Sequence, residues 1–306
     1  MDEHELAWAA GFFDGDGWAA SVRERRRRTG QPMAQINQGS LTGVPEVLVR
    51  FRDAVGVGRV AGPKIEEGRE PLYRWVASSR GDVTRVGSAI GPWLSDQKRD
   101  QFAAAVGLTF RTPAIDSFAW AAGLFDAEGC VSLCVHRSHP GYKVIDGAVT
   151  QGGMALPQEL SRFRAVVEIG KNYGPYKQIR ANEPIFRWRC QTLDGVRCVI
   201  HRLLPWLGDV KRKQAFAAIQ FMDDQPSLPR GRPDWGSHKT HCIHGHEFAS
   251  ARMRPYVSRG VGIQRRYNLQ CLTCTREQAR ARRIAAKRQI DGSRTPILNP
   301  PRLPTC

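Results

Sequence analysis

The clearest pattern in the chain is an apolar run that occurs twice. Residues 6–13 read LAWAAGFF, with the charged segment DEHE before them and DGDG after them. An apolar stretch closed by acid and glycine predicts a buried helix, here from about Glu5 to Asp14, ending at a glycine-bearing turn. Strand-like segments follow near 18–25 and 33–38, separated by the basic tip Arg25-Arg26-Arg27-Arg28. A helix near 45–55, strands near 57–66 and 71–77, and helices near 81–93 and 96–108 complete the unit. A second series has the same order, at 117–126, 130–136, 144–151, 157–168, 169–180, 184–190, 194–206 and 209–222.

The two series are copies at the level of residues. Leu6–Gly17 returns as Phe118–Gly129, and Arg50-Phe51-Arg52 returns as Arg162-Phe163-Arg164, both 112 positions on. After a one-residue insertion, Arg74-Trp75, Pro92-Trp93-Leu94, Lys98-Arg99 and Gln101 recur as Arg187-Trp188, Pro205-Trp206-Leu207, Lys211-Arg212 and Gln214. A fixed spacing kept over about a hundred residues marks an internal repeat. The expected fold class is α+β, with two pseudo-symmetric αββαββα half-domains, 1–111 and 112–225, joined around Arg111-Thr112-Pro113.

Charge adds the partner. Among 306 residues, 46 Lys and Arg face 29 Asp and Glu, a net charge of +17. Such an excess predicts a polyanion, and nucleic acid is the usual one. No segment approaches the roughly 18 apolar residues of a membrane helix, and the N-terminus MDEHELAWAA is acidic rather than signal-like. A cytoplasmic protein with no membrane role is expected.

The repeated helix also carries candidate chemistry. Ala9, Ala10 and Gly11, with Ala121, Ala122 and Gly123, leave room for two helices to pack side by side. Asp16 and Glu128 then meet just beyond the last turns. Paired carboxylates suit hard cations such as Mg2+ or Mn2+. Such ions activate water and stabilise an in-line phosphoryl displacement. Without a cation, two close acids repel.

The segments AAGFFDGDG (9–17) and AAGLFDAEG (121–129) resemble the LAGLIDADG motif of homing endonucleases, and the similarity extends over residues 5–222. It implies paired half-domains with the motif helices at their interface and saddle-shaped sheets over double-stranded DNA. It also implies a monomer that cuts both strands of an asymmetric target across the minor groove, leaving short 3′ extensions. By position, Asp16 and Glu128 are the metal ligands, and Asp14 and Asp126 are structural. Lys98 and Lys211 match an active-site lysine, and Gln38 and Gln151 match a pocket glutamine. Where some relatives carry an arginine shortly after that glutamine, this chain has Leu41-Thr42 and Met154-Ala155, leaving Arg99 and Arg212 as substitutes. Two other functions stay open: a non-catalytic binder (RNA maturase or transcriptional regulator), and a strand-specific nickase.

On the sheets, Val131, Leu133 and Val135 alternate with Cys130, Ser132, Cys134 and His136. The apolar set predicts a buried face, and the polar set, leading into Arg137, a groove-facing one. Arg23 and the run Arg25, Arg26, Arg27 and Arg28 fit phosphate contacts.

A third segment, residues 226–290, comprises a Pro- and Gly-rich linker and a basic zinc-binding module. Cys242-Ile-His-Gly-His246 and Cys271-Leu-Thr-Cys274 have the spacing of a structural Zn2+ site with Cys242, His246, Cys271 and Cys274 as ligands and His244 as the alternative to His246. The arrangement resembles small zinc modules found beside phage and HNH-type nucleases. Beyond it, TREQARARRIAAKRQ predicts a basic helix whose Arg280, Arg282 and Arg283 lie along phosphates. Residues 291–306, rich in Pro, read as a disordered tail.

Overall fold

The computed structural model describes residues 2–22, 30–136, 139–177, 183–225, 246–247, 252–256 and 266–292. The chain divides into two compact units, Met1–Pro226 and Ser227–Cys306.

In the first unit, α1 (Glu3–Asp16) leads into β1 (Gly17–Val22) and β2 (Gln31–Gly39), then α2 (Glu46–Val55), β3 (Arg59–Lys64), β4 (Leu72–Ala77), α3 (Arg80–Ile90) and α4 (Asp96–Val106). The series repeats as α5 (Phe118–Glu128), β5 (Gly129–His136), β6 (His139–Gly152), α6 (Gln158–Val167), β7 (Lys171–Tyr176), β8 (Ile185–Cys190), α7 (Leu193–Leu203) and α8 (Asp209–Asp224). Each half folds its strands into one antiparallel sheet, ordered β1-β2-β4-β3 and β5-β6-β8-β7. The expected α+β architecture with two matching halves is the observed one, each half an αββαββα unit followed by one further helix, α4 or α8.

Period-two burial explains why each sheet holds helices on one face only. In β4, Tyr73, Trp75 and Ala77 turn inward, and in β8, Phe186, Trp188 and Cys190 do the same. Phe51 of α2 meets Trp75 edge-on at 4.7 Å, and Phe163 of α6 meets Trp188 at 4.9 Å. Such aromatic pairs add about 0.5–1.5 kcal/mol each beyond their buried area. The opposite faces, with Arg74 and Arg187 exposed, are left open.

Helix α1 and helix α5 run further than their apolar patterns suggest. Asp16 and Glu128 are the last helical residues, not residues beyond the turn, because the Gly17 and Gly129 N–H groups still bond to the Phe13 and Phe125 carbonyls. The chain then passes straight into a strand. A Cβ at Gly17 would lie 2.4 Å from the Phe13 ring, so this abrupt exit needs glycine.

The second unit pairs β9 (Arg252–Tyr256) with β10 (Arg266–Gln270) and continues into α9 (Leu272–Gly292). Among the described residues, no helix is long and apolar enough to cross a membrane.

Candidate active site at the paired helix ends

The site is built on contact between two backbones. A Cβ on Gly11 would stand 1.9 Å from the Trp120 carbonyl oxygen, and one on Gly123 would stand 1.9 Å from that of Trp8. Hydrogen bonds cross the same contact. The Trp8 indole N–H donates to Asp126 and the Trp120 indole N–H to Asp14, both at 2.8 Å. Asp14 also accepts from the backbone N–H and hydroxyl of Ser95, and Asp126 from the Gly208 N–H. Burial raises both carboxyls to about 6, against the opposing effect of these donors. Arg50 stacks over Trp8 at 3.9 Å and Arg162 over Trp120 at 4.0 Å.

One turn beyond the glycines lie Asp16 and Glu128. The helices remain close here, since a Cβ on Gly15 would come 3.1 Å from Glu128 Cγ. Burial pushes Asp16 up to about 6. Burial and then the Asp16 charge push Glu128 up to about 7. The Lys98 ammonium donates to the Gly17 carbonyl at 2.5 Å and the Lys211 ammonium to the Gly129 carbonyl at 2.6 Å. Both lysines lower the pKa of both acids, while burial holds Lys98 below its usual range. Each lysine is thus fixed to the first strand residue after its own acid.

The halves differ at the glutamines. Gln38 donates to Asp16 at 2.5 Å. Gln151 has the equivalent register, opposite Phe186 as Gln38 is opposite Tyr73. Among the described residues it makes no such bond to Glu128.

Other expected site residues are placed elsewhere. Arg99 cannot supply the absent pocket arginine, because its fork donates to the Gly91, Pro92 and Thr112 carbonyls and ties down the linker. Arg212 donates to the Leu207 carbonyl and lies 3.5 Å from Asp209. In β5 the alternation fails at its end. Val135 is 53% exposed and a register shift follows it. Ser132 and His136 are partly exposed on that strand, and Arg280, Arg282 and Arg283 are exposed on α9. Arg23, Arg25, Arg26, Arg27, Arg28, Arg137 and Cys242 lie outside the described residues.

Sequence reasoning missed the Trp8 and Trp120 donors, although both recur within the repeated motif. It also missed an ion pair on the second sheet's open face. There Arg189 grips Asp146 through Nε at 3.1 Å and Nη2 at 2.5 Å.

In the second unit, ligand atoms of His246, Cys271 and Cys274 fall within 4.8 Å of one another. His246 Nδ1 is 3.3 Å from Cys274 Sγ and 3.8 Å from Cys271 Sγ. Nitrogen and sulfur bound to one tetrahedral zinc at about 2.0 and 2.3 Å would be about 3.5 Å apart, so the group fits that ion. The other ring nitrogen, Nε2, points to Glu277 at 3.8 Å. A carboxylate beside the outer nitrogen of a metal-binding histidine orients the ring.

No family profile matches the sequence, and no curated protein matches it. Among solved structures, the LAGLIDADG meganuclease I-AabMI bound to uncleaved DNA aligns with a TM-score of 0.51 at 14% identity. The alignment covers 73% of this chain and 91% of that one. I-SmaMI bound to uncleaveable DNA with a TTCT central four aligns with a TM-score of 0.50 at 12% identity, over 72% of this chain and 92% of that one. At these identities the likeness establishes the architecture: the chain has the single-chain LAGLIDADG homing endonuclease fold.

Proposed function

We propose, starting from that fold, that this protein is a site-specific, divalent-metal-dependent endonuclease that hydrolyses double-stranded DNA as a monomer at a long asymmetric target. The observation that carries the proposal is the juxtaposition of Asp16 and Glu128 at the ends of two helices in backbone contact, flanked by Lys98 and Lys211. The net charge of +17 and the open sheet faces bearing Arg74 and Arg187 favour a DNA ligand. I-AabMI and I-SmaMI, which share this fold, were captured on DNA.

Asp16 and Glu128 offer hard oxygen donors, and their burial and mutual repulsion are what a divalent cation relieves, so the site fits Mg2+ or Mn2+. When bound, the cation would supply Lewis acidity and an activated water. Deprotonated Asp16 and Glu128 would hold it between the strands. Gln38 would fix one Asp16 oxygen, leaving the other directed at the site. Lys98 and Lys211 would place positive charge beside the phosphate as its oxygens gain charge. In the second unit, His246, Cys271 and Cys274, with Cys242, would hold a structural zinc, and Arg280, Arg282 and Arg283 would lie along phosphates.

The Gln38–Asp16 bond, without a counterpart at Glu128 among the described residues, favours unequal strand rates and so a second reading as a nickase. The test is a cleavage selection on a randomised duplex library with and without Mg2+, using wild type and Asp16→Asn/Glu128→Gln. Linear, site-specific product from wild type alone supports the proposal. Nicked product supports the second reading. Tight specific binding with no cleavage refutes both.

A further inference from the structure

The pseudo-twofold repeat allows the open face of one sheet to be compared with the other, position by position. Gly17 pairs with Ile36 as Gly129 pairs with Val149, so the registers of the two sheets correspond. One step further from the helix ends, the first sheet presents Trp18, Gln35, Val76 and, on the edge strand, Arg59 in a row. The second presents Cys130, Ala148, Arg189 and, on the edge strand, Lys171. In the following row, Ala20 and Met33 correspond to Ser132 and Asp146. An apolar pair, Met33 and Val76, thus stands where the other half has an acid and an arginine.

That acid is unusual on a face turned toward a polyanion. Asp146 is only 8% exposed and accepts both bonds from the Nε–Nη2 edge of Arg189. It is too enclosed to meet a base itself. Its effect is on Arg189, whose pKa it raises chiefly through these hydrogen bonds. A guanidinium is a rigid planar fork. With one edge gripped, the other edge, Nη1 and the second Nη2 hydrogen, is aimed away from Asp146. Arg189 keeps 28% of its side-chain surface exposed. The loss of rotamer freedom that an arginine suffers on binding has already occurred.

We propose that Arg189 is a specificity-determining residue that reads one guanine through O6 and N7 in the major groove of the second half-site, with Asp146 as its positioning residue. The mirrored position of the first half-site, under Val76 and Met33, lacks this gripped guanidinium, so its guanine preference is weaker. The target is therefore asymmetric at this matched pair of positions for a stated chemical reason. A bidentate arginine–guanine contact discriminates by about tenfold to a hundredfold against other bases. This inference rests on the DNA-endonuclease reading, and its test separates the two.

Full-length protein is used to select bound duplexes from a randomised library in Ca2+, and cleaved duplexes in Mg2+. Wild type should return a guanine at one position of one half-site and a relaxed base at its mirror. Arg189→Ala should lower the guanine preference at that position by at least tenfold and leave the other positions unchanged. Asp146→Asn should weaken the same position by a smaller factor, an effect that general loosening of the fold would not confine to one base pair. The transplant Met33→Asp/Val76→Arg should create a guanine preference at the mirrored position. A consensus that Arg189→Ala leaves unaltered, or relaxes evenly, overturns the inference while the endonuclease reading stands. Selected duplexes that are bound but never cut overturn the endonuclease reading, and the base preference of Arg189 is still read from the bound pool.

Discussion

Replacing Glu128 by Gln should stabilise the protein at alkaline pH while removing its chemistry. Burial and the Asp16 charge raise the Glu128 carboxyl from an ordinary 4.5 to about 7. The fold therefore prefers the neutral acid. Below about pH 4.5, folded and unfolded chains are both protonated and no penalty exists. As pH rises toward 7, the unfolded chain releases its proton before the folded one, and stability falls; above 7 the loss is complete. A shift of that size corresponds to about 3 kcal/mol. Glu128 keeps some solvent contact and shares its repulsion with Asp16, so about 1–2 kcal/mol is expected for the single substitution. Gln is neutral throughout and avoids the loss. Urea denaturation in Mg2+-free buffer should find wild type and Glu128→Gln equal near pH 4.5 and the variant more stable by that amount at pH 8.5. Added Mg2+ should narrow the gap by stabilising wild type alone. An offset identical at both pH values would refute the reasoning, as would a variant less stable at pH 8.5.

Four further outcomes are expected. Gly11→Ala places a methyl 1.9 Å from the Trp120 carbonyl oxygen and should cost about 3 kcal/mol or more in urea denaturation. Gly141→Ala, with nothing within 4 Å of its Cβ, is the control and should stay near neutral. Glu168→Gly should add about 0.5–1 kcal/mol to the unfolding free energy, since Glu168 holds φ 59° where the first half has Gly56. Its exposed ion pair with Arg202 offsets little of that gain. Gln38→Ala should slow one strand selectively, seen as nicked plasmid accumulating before linear product, whereas Gln151→Ala should leave the strand ratio unchanged. Metal analysis of the whole protein should find one zinc per chain, reduced by His246→Ala or Cys271→Ser; a metal-free wild type would remove that site.

The half-domains were legible in sequence because a repeat places its apolar and acidic positions twice, and coincidence cannot keep that order over a hundred residues. Alternation of apolar and polar residues in β5 predicts a buried face, and at Val131 the structure buries it. The alternation misled at Val135, since the side-chain period of a strand continues whether or not helices cover its end. The Trp8–Asp126 and Trp120–Asp14 bonds depend on which helix lies alongside which, at a separation that spacing cannot encode. The Asp146–Arg189 grip needs the register of two strands 43 residues apart. Arg99 looked available because a carbonyl has no signature in sequence, and three carbonyls hold it.

The exchange between tryptophan and aspartate has one more consequence. Each half contains both members, Trp8 with Asp14 and Trp120 with Asp126, as well as its own contact glycine. Neither half can satisfy its own pair, because donor and acceptor always come from opposite helices. A copy of the same half, however, presents the same set in the same geometry. Severed at the linker, the first half would still carry both members of the exchange and a contact glycine for pairing with a second copy of itself. The fused chain is in this sense a homodimer whose subunits have been free to diverge. The seam between them, where each half supplies the other's missing partner, is the part least free to follow.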